Sequence, residues 1–329
     1  MNVVPLRALA TRGSSFSKPS QARACFSTTL TMAGNARTSS ESIARLAARI
    51  PKDTWDTHMH VVDPRSFPLS ADAQYQPQPH TLTDAHSFLS RLGIEKMVIV
   101  QPSIYGNDNS CTLDGLKGLG LKNGRAVIQF DPDTSSREQL QQWHDAGVRG
   151  VRLNFKSVGG KVEEDALAKQ MQKYADAIRD FGWVLELYIA VNDIPILEKV
   201  ASGIPDVKIC VDHLGHPSPA ALKDATTAHD LPGFQSLLNL LQQGRTWCKV
   251  SATYRLDKDP KHPLIQSLIK ETVKARPDRC VFASDWPHTR FDGLDVGPYL
   301  ETVLDGIESQ GVPLKQVLVD NAEELFDAK

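Results

Sequence analysis

Eight short runs rich in β-branched and apolar residues recur along this chain, each followed by a longer segment, and that alternation most narrows what it can fold into. The runs are Thr54 to His58, Lys96 to Pro102, Arg125 to Asp131, Val148 to Asn154, Trp183 to Ile189, Val207 to Leu214, Thr246 to Ala252 and Cys280 to Asp285. Between them, "EEDALAKQMQKYADAIRDFG" repeats Leu167, Met171, Tyr174, Ile178 and Phe181 at spacings of three and four, one apolar helix face able to cover a sheet. Gly182 offers a left-handed stop before the next strand. The same period fits "SREQLQQWHDAG", "PGFQSLLNLLQQG" and "PLIQSLIKETVKARP". No unit of 20 to 50 residues repeats, which argues against a solenoid. Alternating strands and helices in a chain of 329 residues predict an α/β protein with a single (β/α)8 TIM barrel over residues 50–329.

A different composition precedes the barrel. Residues 1–40 hold Arg7, Arg12, Lys18, Arg23 and Arg37 with no acid, many serines and no long apolar run. That is the composition of a mitochondrial transit peptide or a disordered leader, and not of a secretory signal. The matrix is therefore the expected location, and the cytoplasm the alternative if translation starts at Met32. Setting the five leader cations aside leaves 32 basic against 39 acidic residues, a net −7, so no nucleic-acid partner is expected. No apolar run is long enough to cross a bilayer, and no membrane partner is expected. Cys210, Cys248 and Cys280 fall in strands and read as small buried hydrophobes, while the absence of CxxC leaves no zinc knuckle or dithiol motif. A small-molecule substrate is the expected partner, and nothing in the sequence sets an oligomeric state.

In a (β/α)8 barrel the site forms where strands end and the following loops begin. Those ends are loaded here: "WDTHMHVVD" gives His58 and His60, "QPSIYG" gives Ser103, and "VRLNFK" gives Arg152 and Asn154. Tyr188, "DHLGHP" with His213, "SATYR" with Arg255, and "SDWPH" with Asp285 and His288 follow. Residues two apart on a strand share a face, so His58 and His60 project together and Asp56 lies one layer deeper. Many polar groups converging on one rim are costly unless water or a substrate satisfies them, which favours catalysis.

The HxH pair, His213 and Asp285 resemble the arrangement of the amidohydrolase superfamily. The segments "RSFPLSADAQY", "QPSIYG", "VRGVRLNF", "DHLGHP" and "ASDWPH" resemble its branch of 2-pyrone-4,6-dicarboxylate lactonase and sugar-acid lactonases, from about Trp55 to "VLVDNAEELF". The resemblance implies hydrolysis of a lactone, with Asp285 as the base that activates water. His58, His60 and His213 would orient that water and stabilise the oxyanion. It implies substrate contacts from Tyr75, Ser103, Arg152, Tyr188 and Arg255, the two arginines taking carboxylates. Metal-bearing amidohydrolases add a fourth-strand lysine or glutamate, or a fifth-strand histidine. This chain has Arg152 and Asn154 on the fourth strand and Tyr188 on the fifth. The expectation is that no metal is required, with a single zinc or manganese on His58, His60, His213 and Asp285 as the alternative.

Other readings stay open. Arg152 can pair with an acid such as Asp131, and Tyr75 can cover a loop. His216 and His288 are expected outside the site. "NFKSVGG" places Lys156 where the dicarboxylate lactonase pattern has a further arginine, so a monocarboxylated or neutral lactone suits as well as a dicarboxylate. A metal-dependent hydrolase or a decarboxylase of an aromatic acid is the enzymatic alternative. A non-catalytic barrel that binds a carboxylated metabolite is the alternative of another class.

Overall fold

The computed structural model describes residues 43–155 and 162–328; the leader and Lys156 lie outside them. Eight strands form one parallel sheet in chain order: β1 (Trp55–Met59), β2 (Lys96–Val100), β3 (Gly124–Ile128), β4 (Val148–Asn154), β5 (Val184–Tyr188), β6 (Lys208–Val211), β7 (Thr246–Val250) and β8 (Cys280–Phe282). Helices α1 (Leu82–Leu89), α2 (Ser110–Asn123), α3 (Arg137–Asp145), α4 (Glu164–Ile178), α5 (Ile194–Ala201), α6 (Phe234–Gln242) and α7 (Pro263–Ala275) make the crossovers, and α8 (Gly297–Glu308) and α9 (Asn321–Leu325) follow β8. This is the predicted TIM barrel.

The helices follow the patterns read from sequence. Helix α4 buries Leu167, Met171, Tyr174 and Ile178 on one face, and Gly182 then takes φ 64° to turn the chain into β5. Helix α6 buries Phe234, Leu237, Leu240 and Leu241, and α7 buries Leu264, Ile265, Leu268 and Ile269. Packed on the outward faces of the strands, they form the main apolar core. Among the described residues no helix is long and apolar enough to cross a membrane.

Lys249 on β7 touches His58 on β1 and Glu186 on β5, so its parity is the inward one. The other strands follow in layers along that parity. At the bottom Val98, Val127, Val184, Cys210, Trp247 and Val281 pack with Ala322, Leu325 and Phe326 of the C-terminal segment. One step up, two residues later on their strands, Glu186, Asp212 and Lys249 are fully buried. Strands β5, β6 and β7 thus change from apolar to charged toward their C-terminal ends.

Sheet and loop differ from expectation at those upper ends. The expected strands ran on to Pro102, Leu214, Ala252 and Asp285, but the chain leaves the ladder earlier and turns through Ser103–Tyr105, His213–Gly215 and Thr253–Arg255. His213 (φ 53°), Leu214 (57°), Ala252 (56°) and Asp285 (61°) all take left-handed backbone there. Each costs roughly 1–3 kcal/mol for a non-glycine residue, and such strain gathers at functional sites. Turning outward early is what aims these side chains across the barrel mouth.

The seam between β8 and β1 closes with few ladder bonds. Asp285 donates its N–H to the His58 carbonyl at 3.0 Å, and His60 donates to Trp286 O at 2.9 Å. Below them Thr57 Oγ1 donates to Phe282 O at 2.7 Å, and the buried Asp56 carboxylate accepts from Ser284 N at 2.9 Å and from the Ser284 hydroxyl. Side chains thus supply what the short strand β8 lacks.

Candidate active site

A small cavity of about 90 Å³ opens at the C-terminal mouth of the barrel. His60, Tyr75, Ser103, Arg152, Tyr188, His213, Arg255 and Asp285 line it, together with Pro102, Asn154, Thr289 and Arg290. Every site residue expected from the sequence is therefore on its wall except His58, which lies fully buried beneath. Tyr75 is no loop cover alone. His216 reaches the site indirectly, 3.3 Å from the Tyr188 hydroxyl, and His288 packs its ring on Phe88 and Tyr254.

Asp285 sits at the floor. Its Oδ2 accepts from Tyr254 Oη at 2.7 Å and from Arg255 Nε at 2.9 Å. Its Oδ1 faces His58 Nε2 at 3.9 Å and His213 Nε2 at 3.8 Å, room for a small group to sit between. Burial opposes the charge on Asp285, but Arg255 and the surrounding His213, His58 and His60 together outweigh it and hold the carboxyl well below its ordinary range. Asp285 is thus an ionised acceptor in the resting site.

The histidines are fixed from behind. His60 Nδ1 lies 2.8 Å from Val100 O, and a carbonyl can only accept, so that nitrogen carries the proton. Burial lowers the His60 pKa to about 3, leaving the ring neutral with a bare Nε2. This corrects the expectation of three donating histidines: His60 can accept a hydrogen bond or ligate a cation, and it cannot donate to an oxyanion. His213 Nδ1 is held by Ser251 Oγ at 2.8 Å, and burial drives its pKa well below the ordinary value. His58 stands in edge contact with both rings, at 4.9 Å from His60 and 4.6 Å from His213.

Beneath His58 lies a charged layer that the sequence reading missed. Lys249 contacts Glu186 Oε2 at 2.5 Å and Asp212 Oδ1 at 3.4 Å, all three side chains fully buried. Arg152 donates through Nε to Asp212 Oδ2 at 3.0 Å and has its Nη2 2.9 Å away, so it does pair internally, though with Asp212 and not Asp131. Burial opposes ionisation of Lys249, but Glu186 and Asp212 raise its pKa; Asp212, in turn, is held well below its usual range against burial by Lys249 and Arg152. Two cations thus balance two anions. The signal was present: charges inside the apolar runs "VLELY" and "TWCKV" at the parity of residues already assigned inward.

The arginines divide accordingly. Arg152 serves Asp212 and Arg255 serves Asp285, so both forks expected to bind substrate are partly committed within the protein. Arg290, which sequence reading passed over, lies on the cavity wall 4.8 Å from the Tyr75 ring, and among the described residues it makes no ion pair with an acid.

The donor set also admits a cation. His58, His60 and Asp285 bring one ligand atom each within 4.8 Å of one another, as do His58, Asp212 and His213. Two imidazoles and a carboxylate suit one zinc-like ion, and the buried His58 Nε2 has no hydrogen-bond partner among the described residues. Residues 55–328 match the model of the amidohydrolase family. A 4-sulfomuconolactone hydrolase of Hydrogenophaga intermedia is 30% identical, over 84% of this chain and 89% of its own length. A 2-pyrone-4,6-dicarboxylate hydrolase of Comamonas testosteroni is 29% identical, over 84% and 91%. The crystal structure of an amidohydrolase from Burkholderia multivorans with bound zinc shares the fold with a TM-score of 0.67, at 17% identity over 83% of this chain and 99% of that one. With its eight strands, its site at their C-terminal ends and a family match across the whole barrel, the chain belongs to the amidohydrolase family.

Proposed function

We propose that this amidohydrolase opens the ring of a lactone that carries an acidic group. The observation that carries the reading is Asp285: an ionised carboxylate with one oxygen pinned by Tyr254 and Arg255 and the other facing two imidazole edges. The lactone hydrolases among its relatives support the reaction class.

A water placed between Asp285 Oδ1 and the bare Nε2 of His60 has an acceptor for each hydrogen. Asp285 takes one proton as the oxygen attacks the lactone carbonyl. Negative charge then develops on the carbonyl oxygen, where an imidazole N–H stabilises it; one such donor is worth roughly 2.7–4 kcal/mol. Collapse breaks the ring C–O bond, and the proton on Asp285 passes to the leaving oxygen, giving a hydroxy or keto acid. A carboxyl with so low a pKa is a weak base but a strong acid, and that second transfer is correspondingly easy.

Arg290 and Tyr75 form the part of the wall suited to the substrate's acidic group, because among the described residues Arg290 pairs with no acid. The remaining N–H groups of Arg152 and Arg255 lie on the same wall. If a divalent ion occupies the site, His58, His60 and Asp285 would hold it, and it would supply a bound water of lowered pKa. We propose that hydrolysis does not require it.

The test is acid release from a panel of carboxylated, sulfonated and neutral lactones, each acid paired with its methyl ester, using protein of measured metal content before and after chelation. Turnover of acidic lactones by metal-free protein is expected. No release from any lactone would overturn the reaction class, and loss on chelation with recovery on adding zinc or manganese would establish the metal-dependent alternative.

A further inference from the structure

We propose that Lys249 is a positioning residue that decides which nitrogen of His58 carries the proton, and so whether His58 donates into the cavity or ligates a metal. An ammonium has three N–H groups and no lone pair. Around Lys249 Nζ stand three acceptor positions: Glu186 Oε2 at 2.5 Å, His58 Nδ1 at 3.0 Å and Asp212 Oδ1 at 3.4 Å. Glu186 Oε2 and His58 Nδ1 are the two in hydrogen-bond contact with Nζ, and an N–H given to Nδ1 requires that nitrogen to present its lone pair. Its proton is then on Nε2, the buried atom with no hydrogen-bond partner among the described residues, which faces Asp285 Oδ1 at 3.9 Å.

His60, 4.9 Å away, has the opposite tautomer, because Val100 O fixes its proton on Nδ1. The adjacent rings therefore place one donor and one acceptor around Asp285 at the cavity floor. That pair matches hydrolysis, in which the carbonyl oxygen needs a donor and the water needs an acceptor. A metal makes the other demand, since both Nε2 atoms must be bare. For His58 to ligate through Nε2, its proton would have to sit on Nδ1, pointing at an ammonium 3.0 Å away. The carboxylates at 3.4 Å, Glu186 Oε1 and Asp212 Oδ1, are the atoms that would receive that proton once Lys249 is gone.

The role in turnover rests on the lactonase reading above; the tautomer does not. The experiment is imidazole nitrogen NMR of metal-free protein, with His58 assigned by its absence in His58→Gln, alongside zinc calorimetry. Wild type is expected to show His58 protonated at Nε2 and His60 at Nδ1. The variant Lys249→Met/Glu186→Gln removes one charge of each sign from the buried layer. It is expected to move the His58 proton to Nδ1, to bind zinc at least tenfold more tightly than wild type, and to lose kcat with little change in KM. A wild-type His58 protonated at Nδ1 overturns the proposal, as does a folded variant with unchanged His58 signals and zinc affinity. Should the variant fail to fold, the wild-type spectrum alone decides. If no lactone is turned over, the lactonase reading fails while the spectrum and the zinc affinities still judge Lys249.

Discussion

At the scale of single residues, the proposed chemistry can be tested at Asp285 and Arg290. Asp285→Asn keeps the size of the side chain but cannot take a proton, so the fold should survive while lactone turnover drops by roughly 10²–10⁴-fold, the usual worth of a positioned base. Near-normal kcat in a variant with a wild-type circular dichroism spectrum would remove Asp285 from that role. For Arg290, Gln in its place should lower kcat/KM about tenfold or more for an acidic lactone, since a charge-assisted hydrogen bond is worth about 1.5–3 kcal/mol. The methyl ester should be nearly unaffected. Equal losses for acid and ester would make Arg290 a structural partner of Tyr75. The strand-end residues were legible in the sequence because their spacing and fold class agree. Arg290 was not, since it follows the expected motif by two residues on a loop whose course no periodicity gives. Nor was Tyr254: the left-handed turn at Ala252 is what brings it and Arg255 to one carboxylate.

At the scale of elements, sequence and structure agree most closely in the helices and at the starts of strands, where apolar period and burial are the same physical fact. They part where strands end. Glu186 and Lys249 are charges in mid-strand, and on any one strand such a residue reads as solvent-facing; only the closed barrel brings β5, β6 and β7 together so that one cancels another. The seam of β8 and β1 gives an element-scale prediction. Burial raises the Asp56 pKa to about 6, against roughly 3.9 in an unfolded chain. A raised folded value means the contribution to stability is full below pH 4 and is lost as pH rises through about 6. Two pKa units correspond to about 3 kcal/mol. Asp56→Asn should therefore flatten the dependence of melting temperature on pH between 4 and 6.5. Parallel curves for the two proteins would show that Asp56 does not titrate in this range.

For the molecule as a whole, location and activity are separable. We expect residues 1–40, fused to a fluorescent reporter, to carry it into mitochondria, on the acid-free, Arg- and Ser-rich composition alone. A cytosolic reporter would sink the address without touching the chemistry. Within the barrel no such separation exists. His58 lies on the first strand with His60 just past its end, Asp285 follows the last, and the bonds from Asp285 N to His58 O and from His60 N to Trp286 O close the barrel as they assemble the site. A ribosome makes the histidines early and their carboxylate nearly at the end. A chain interrupted before β8 holds the imidazoles, the buried cations and most of the cavity wall, yet it has no acceptor for the water's proton. On the proposed mechanism, hydrolysis would report a finished, circularised barrel, and a copy cut before Asp285 would be silent.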